Sequence, residues 1–293
     1  MYMIANINVK TTSALIVEGS AMRSVFSAGL LDGFIGSNFD PFDFYIGVSA
    51  GAYNLASYLN HAPATSLRIF EQFATNKNFI NFWRFLRGGH LIDLDWLERY
   101  AFDSQLIDPY AVCRSGKPFY VGLTDVATGE PVYMQATPEN IQSVIKASTA
   151  LPWFYRNFPQ IDGRLMTDGG VSDGIPVVEA LRLGATKIMV VRARHKHYMK
   201  KDTLFHKCMR RKMQHYPQLY ETLSRRVMIH QNTIAQLRNP PPGVSIVEIC
   251  PPEHFTLGRF SRQRHRLREG YQLGVEASSE AIAQWMKDTD KMG

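Results

Sequence analysis

The chain has 293 residues, 45% hydrophobic and 20% charged, with 33 Lys and Arg against 26 Asp and Glu for a formal charge of +7. This composition excludes wholesale disorder, collagen and coiled coil, and the length is enough to bury a large core in one α/β domain or two. The modest positive excess suits anionic partners, phospholipid headgroups or nucleic acid alike. Cys113, Cys208 and Cys250 lie far apart with no CxxC pair, which argues against a disulfide framework or a cysteine-built zinc site and fits a reducing compartment. Met1 to Lys10 lacks the basic start and apolar stretch of a secretion signal, and no run of about 20 apolar residues occurs. The expectation is a cytoplasmic protein, with peripheral contact at the inner face of the membrane left open.

Ser13 to Glu18 is a short apolar run ending at Gly19 and reads as a buried strand. Ser24 to Ile35 has near-helical apolar spacing stopped by Gly36-Ser37-Asn38. Phe42 to Val48 reads as a second strand, followed after Ser49 by a small-residue helix, so the start of the chain predicts βαβ units, a parallel sheet and helices on both faces. Residues 64–110 read as helical and rich in aromatics, among them Phe70, Phe73, Phe79, Phe82 and Trp83, either packing on the core or walling a greasy substrate. Pro118 to Asp125 and Pro131 to Gln135 read as a hairpin, and Thr137-Pro138 as the cap and first residue of a helix. Leu165 to Asp168 is a short apolar step, Pro176 to Leu183 a helix, Lys187 to Arg192 a core strand, Val244 to Ile249 the last strand and Gln263 to Met286 a long amphipathic helix. The Pro240-Pro241-Pro242 break reads as a loop, which leaves a single α/β domain over 1–293, with a motif-bearing core at about 13–192 and a basic helical part at 193–293.

Gly47-Val48-Ser49-Ala50-Gly51 is G-x-S-x-G between a strand pattern and a helix pattern. In that context the serine sits on a sharp turn, its oxygen exposed at a helix N-terminus that favours developing negative charge, and Gly47 and Gly51 are small because backbones approach closely. A serine hydroxyl needs a base. No histidine occupies a convincing late loop, His254 being the best placed, whereas Asp168 ends an apolar step and is followed by Gly169 and Gly170, which would present a carboxylate without obstruction. Oxyanion donors are expected from the small residues Gly19, Ser20 and Ala21 after the first strand, with Arg23 bracing that loop or attracting an anion.

These three pieces, in this order, resemble the patatin-like phospholipase family, in particular its small bacterial members. The family pattern is G-G-G-x-R-G, then G-x-S-x-G, then D-G-G or D-G-A. Ser49 falls on its nucleophile and Asp168 on its catalytic aspartate, a dyad without histidine; Gly19, Ser20 and Ala21 fall on the oxyanion loop and Arg23 on its arginine. Ala147 to Pro152 looks like the family's small-residue segment before the aspartate. The resemblance spans roughly 13–192 and implies a three-layer α/β/α fold with a central, mainly parallel sheet. It also implies hydrolysis of acyl esters in phospholipids or related lipids, with no metal or cofactor. Ser20, Ala21 and Ser24 stand where the pattern has glycine. An L-residue in a left-handed backbone costs roughly 1–2 kcal/mol, so lowered activity is one reading of that loop.

Twelve Lys or Arg fall between Lys187 and Arg226, and Arg259 to Arg268 adds more. The stretch reads as a solvated face or as a docking surface for anionic lipid, worth roughly 1 kcal/mol per basic residue; no nucleic-acid motif accompanies it. His195 and His197 have metal-like spacing without an obvious third ligand. Two rivals to a Ser-Asp lipid hydrolase are a Ser-His-Asp esterase using His254 or another late histidine and a catalytically silent lipid-binding protein.

Overall fold

The computed structural model describes residues 11–77, 79–201 and 213–292. Residues 1–10, Cys208 and part of the basic stretch, Lys207 and Arg210 to Lys212 included, therefore lie outside the described residues.

The architecture is α/β, a mixed eight-stranded sheet with helices around it, in the order β5-β6-β3-β2-β1-β7-β8 with β4 paired to β3. The strands are β1 (Ser13–Val17), β2 (Phe44–Val48), β3 (Phe119–Asp125), β4 (Pro131–Gln135), β5 (Gln160–Ile161), β6 (Arg164–Asp168), β7 (Lys187–Val191) and β8 (Ser245–Ile249). From β3 to β8 along that order every pairing is parallel, whereas β4 and β6 run antiparallel to β3. The continuous apolar run of β1 follows from burial on both faces. Leu15 and Val17 join Phe26, Leu30 and Leu55 on one face, while Ala14 and Ile16 join Val177, Ala180, Ile234 and Leu237 on the other. The first face is covered by α1 (Val25–Gly36) and α2 (Ala50–Leu59), with the C-terminal helix Arg264–Met292 packed along α1. The second is covered by the helices Val177–Arg182 and Pro217–Arg238. Val17 pairs with Gly47 on one side and Val191 on the other, so the C-terminal ends of three parallel strands are flush. That edge is where open α/β sheets place their ligands.

Three expectations change. Residues 64–110 are not one helical region: after Thr65–Thr75 come only short pieces, Phe82–Leu86, Leu94–Glu98 and Pro109–Cys113, with a π turn at Arg99–Asp103. The helix expected from Pro138 begins at Ile141, because the Asn140 side chain accepts the Thr137 N–H at 2.8 Å and closes a turn first. The last helix runs on to Met292.

Candidate active site

β2 ends at Val48 and α2 begins at Ala50, so Ser49 alone makes the turn, at φ +55° and ψ −127°. A residue held there costs about 1–3 kcal/mol and persists only where its surroundings over-determine it. A Cβ on Gly51 would lie 2.2 Å from the Val17 carbonyl oxygen, and one on Gly47 would lie 2.6 Å from Ala52 Cα. This close approach is the physical content of the G-x-S-x-G spacing. The Ser49 N–H donates to Ser148 Oγ at 2.7 Å, and the Ser148 hydroxyl donates to the Gly122 carbonyl at 2.6 Å. Ser148, from the small-residue segment 147–152, thus anchors the elbow.

Asp168 reaches Ser49 through strand pairing. β3 has two edges: β4 takes one along Tyr120–Thr124. The other is shared: β2 occupies it up to Gly122, and the antiparallel β6 from Leu123 onward. β2 and β6 therefore run head-on, and their C-terminal residues meet beside Gly122 and Leu123. Gly169 allows this closeness, since a Cβ there would lie 2.3 Å from the Gly122 oxygen. The Ser49 hydroxyl donates to Asp168 Oδ2 at 2.7 Å, while Oδ1 accepts the Gly170 N–H at 2.8 Å. Behind the carboxylate, Thr124 donates to the Asp168 carbonyl at 2.9 Å. Burial pushes the Asp168 pKa up to about 6, against the hydrogen bonds from Ser49 and Gly170 that pull it down.

The loop after β1 lies against this pair. Gly19 is wedged there: a Cβ would fall 2.1 Å from the Val48 oxygen and 2.6 Å from Ser49 Cβ. The Ser20 N–H donates to Ser24 Oγ at 2.8 Å and Met22 N–H to the Arg259 carbonyl at 3.2 Å. The amides of Gly19 and Ala21 donate no hydrogen bond to another described residue. Arg23 holds Ser20 Oγ through Nε at 2.9 Å and through Nη2. Burial, reinforced by Arg194 and Arg259, pushes its pKa down to about 9. Of the three residues that replace glycine, only Ala21 is left-handed, at φ +50°. Ala21→Gly removes about 1–2 kcal/mol of strain and restores unfolded-chain entropy worth up to about 1 kcal/mol. The expected result is a gain in stability of up to about 1 kcal/mol by denaturant titration; a clear loss would contradict the strain assignment.

Two cavities open onto Ser49. One is apolar, walled by Ile69, Phe70, Phe73, Phe79, Ile92 and Leu97. Phe70, Phe73 and Phe79 are thus both core and wall, Phe73 and Phe79 being buried and stacked at 4.3 Å, whereas Phe82 and Trp83 are exposed and are neither. The other is cationic and includes Arg23, Arg194, Lys200, Arg226 and Arg259. Several cations of the basic stretch are thus not on a solvated face. Two more are interior: Arg192 is fully buried between Glu18 (2.9 Å) and Glu248 (2.6 Å), and Lys187 Nζ lies 4.2 Å over the Trp285 ring. His254 is exposed and lines neither cavity. Among the described residues no group of three His, Cys, Asp or Glu is arranged to hold a metal ion.

The fold and site define an α/β chain with a serine on a strand-to-helix elbow and a carboxylate on its hydroxyl. The family model for patatin-like phospholipases matches residues 15–181, more than half of the chain, and the chain belongs to that family. A second model, Domain of unknown function (DUF6363), matches residues 216–287. Among curated proteins, the uncharacterized protein YjjU of Escherichia coli (strain K12) is 35% identical over 280 residues, covering 89% of this chain and 74% of its own. An uncharacterized NTE family protein of Mycobacterium tuberculosis is 29% identical over 86 residues, covering 29% of this chain and 23% of its own. Among solved structures, VipD from Legionella pneumophila aligns over 94% of this chain and 67% of its own, with a TM-score of 0.42 and 11% identity. The family is one of lipid hydrolases, and the apolar cavity beside Ser49 is in keeping with a lipid substrate.

Proposed function

We propose that the protein is a serine hydrolase that cleaves acyl esters of phospholipids or related lipids through a Ser49–Asp168 dyad. The observation that carries this reading is the 2.7 Å hydrogen bond from a strained serine to a buried carboxylate at the mouth of an apolar cavity. Asp168 takes the Ser49 proton as the oxygen attacks the ester carbonyl, with the acyl chain in the apolar cavity. The oxyanion is received by the amides of Gly19 and Ala21, since Ser20 N–H is engaged by Ser24 Oγ. The alcohol departs with the proton from Asp168, and a water deprotonated by Asp168 then hydrolyses the acyl-enzyme. No metal or cofactor enters these steps. The test is labelling of Ser49 by a fluorophosphonate together with fatty-acid release from a phospholipid panel. Labelling without release would favour the silent lipid-binding reading, and loss of release in His254→Ala would favour the triad.

A general base works as the carboxylate. With the Asp168 pKa near 6, kcat/KM is expected to be level above about pH 7 and to fall about tenfold per pH unit below about 6. A profile level down to pH 4.5 would remove Asp168 from the base role.

The short helix Phe82–Leu86 exposes Phe82, Trp83 and Leu86 (63%, 71% and 60%), with Arg84 on the same piece. An apolar knob of this kind beside the cavity wall residue Phe79 suits a protein that meets a membrane surface from the cytoplasm. Among the described residues no helix is long and apolar enough to cross a membrane. We also read the chain as a single domain, because β8 extends the sheet from β7 and the C-terminal helix packs on α1.

A further inference from the structure

Among the described residues, the cationic cavity has more positive charge than its carboxylates balance. Arg23, Arg194, Lys200, Arg226 and Arg259 line it, with Glu18 and Asp168 as its acids. Glu18 is already committed: its Oε2 accepts from Arg192 Nε and the Ala193 N–H, both at 2.9 Å. Asp168 is committed to Ser49 and Gly170. Among the described residues no carboxylate forms an ion pair with Arg23, Arg194, Lys200 or Arg259. Arg194 is stacked on Tyr198, its guanidinium carbon 4.4 Å from the ring centre, and its buried Nε has no hydrogen-bond partner among the described residues. Arg23 is buried and the other four are half-buried, and cations drawn together out of water in this way cost free energy that a matching anion recovers. In keeping with that cost, burial and then Arg226 and Arg259 push the Lys200 pKa down to about 7.

We propose that this cavity seats a phosphomonoester on the alcohol side of the substrate, so that the preferred substrates are acyl esters of the phosphatidate or lysophosphatidate type rather than of choline- or ethanolamine-bearing lipids. The inference rests on the reading of Ser49 as the nucleophile, and its geometry comes from the two cavities meeting there. An ester carbonyl at Ser49 has the acyl chain on the apolar side and the rest of the molecule on the cationic side. A phosphomonoester carries about −1.5 to −2 charges at pH 7 and three acceptor oxygens, which suits several guanidinium forks. A quaternary ammonium would lie against four guanidiniums and the Lys200 amine. Its best partner would be a carboxylate or an open aromatic face, but Glu18 is held by Arg192 and Tyr198 is covered by Arg194.

The test measures binding apart from turnover. Ser49→Ala protein is titrated with dihexanoylphosphatidate, dihexanoylphosphatidylcholine and inorganic phosphate. The expected result is phosphatidate binding at least tenfold tighter than either of the others. That preference should shrink at least fivefold when Arg194→Gln or Lys200→Gln is added; two separate variants guard against one that fails to fold. Equal affinity for the two lipids overturns the inference. So does inorganic phosphate binding as tightly as phosphatidate, because the cavity would then serve a free anion. Turnover by the wild-type protein tests the hydrolase reading on its own. Phospholipid hydrolysis without headgroup preference leaves that reading standing and removes the phosphomonoester. Selective phosphatidate binding without hydrolysis leaves the anion seat and removes the chemistry.

Discussion

Asp168→Asn is expected to lower ester turnover by about 10³-fold to 10⁴-fold, and Ser49→Ala to bring it to background. The amide keeps the shape of the carboxylate and can still accept the Gly170 N–H, so the turn after β6 survives. It cannot remove a proton from the serine. The stability readout makes the result specific. A carboxylate with a pKa near 6 in the folded chain, against 3.8 ordinarily, binds its proton more tightly when folded. The folded state is therefore favoured below about pH 4, and that advantage is lost as the pH rises through 6. At neutral pH the buried charge costs on the order of 3 kcal/mol. Asp168→Asn should thus unfold at pH 7.5 at the wild-type temperature or above it, while being nearly inactive. Turnover within tenfold of wild type in a folded variant would end the dyad proposal.

Gly19→Ala carries the second large effect. The added methyl would need the space held by the Val48 oxygen at 2.1 Å and Ser49 Cβ at 2.6 Å, so the loop has to back away from the elbow. Amides aimed at a developing oxyanion lose their value quickly with distance, and one lost donor typically costs about 10²–10³ in kcat. A destabilisation of about 1–3 kcal/mol should accompany it, as for other overpacked sites. The measurement is kcat and KM on a soluble ester: a fall in kcat with little change in KM fits lost transition-state contact. Near-normal kcat would move the oxyanion donors elsewhere. Gly19→Ala and Ala21→Gly, two residues apart, should shift stability in opposite directions.

The legible features were those written at short range. The elbow shows as five residues because Gly47 and Gly51 each abut backbone, and Asp168 shows because a bare turn follows it. The two-sided sheet shows in the unbroken apolar run of β1. Features made by distant pairings were hidden. Nothing local in β6 says that it runs antiparallel to β3, the arrangement that brings its last residue to Ser49. Ser24 looked like a lost glycine, yet its hydroxyl takes the Ser20 N–H. The cavity cations come from separate segments, near 23, 194–200, 226 and 259, so along the chain they merge with ordinary surface charge. The 64–110 region hides its structure for a related reason: its aromatics repeat often enough to suggest continuous helices, while the cavity aromatics Phe70, Phe73 and Phe79 come from one helix and the loop after it, and short capped pieces follow. Asn81 and Asp93 cap two of these pieces.

The abutment of β2 and β6 on one edge of β3 also makes the chemistry indifferent to chain length. Ser49 and Asp168 are 119 positions apart, but their separation is set by two neighbouring residues, Gly122 and Leu123, acting as a ruler. Residues can be added to surface excursions without stretching that ruler. Sliding β6 by a single residue is different: it would send every side chain of that strand to the opposite face, carry the carboxylate away from Ser49 and silence the site.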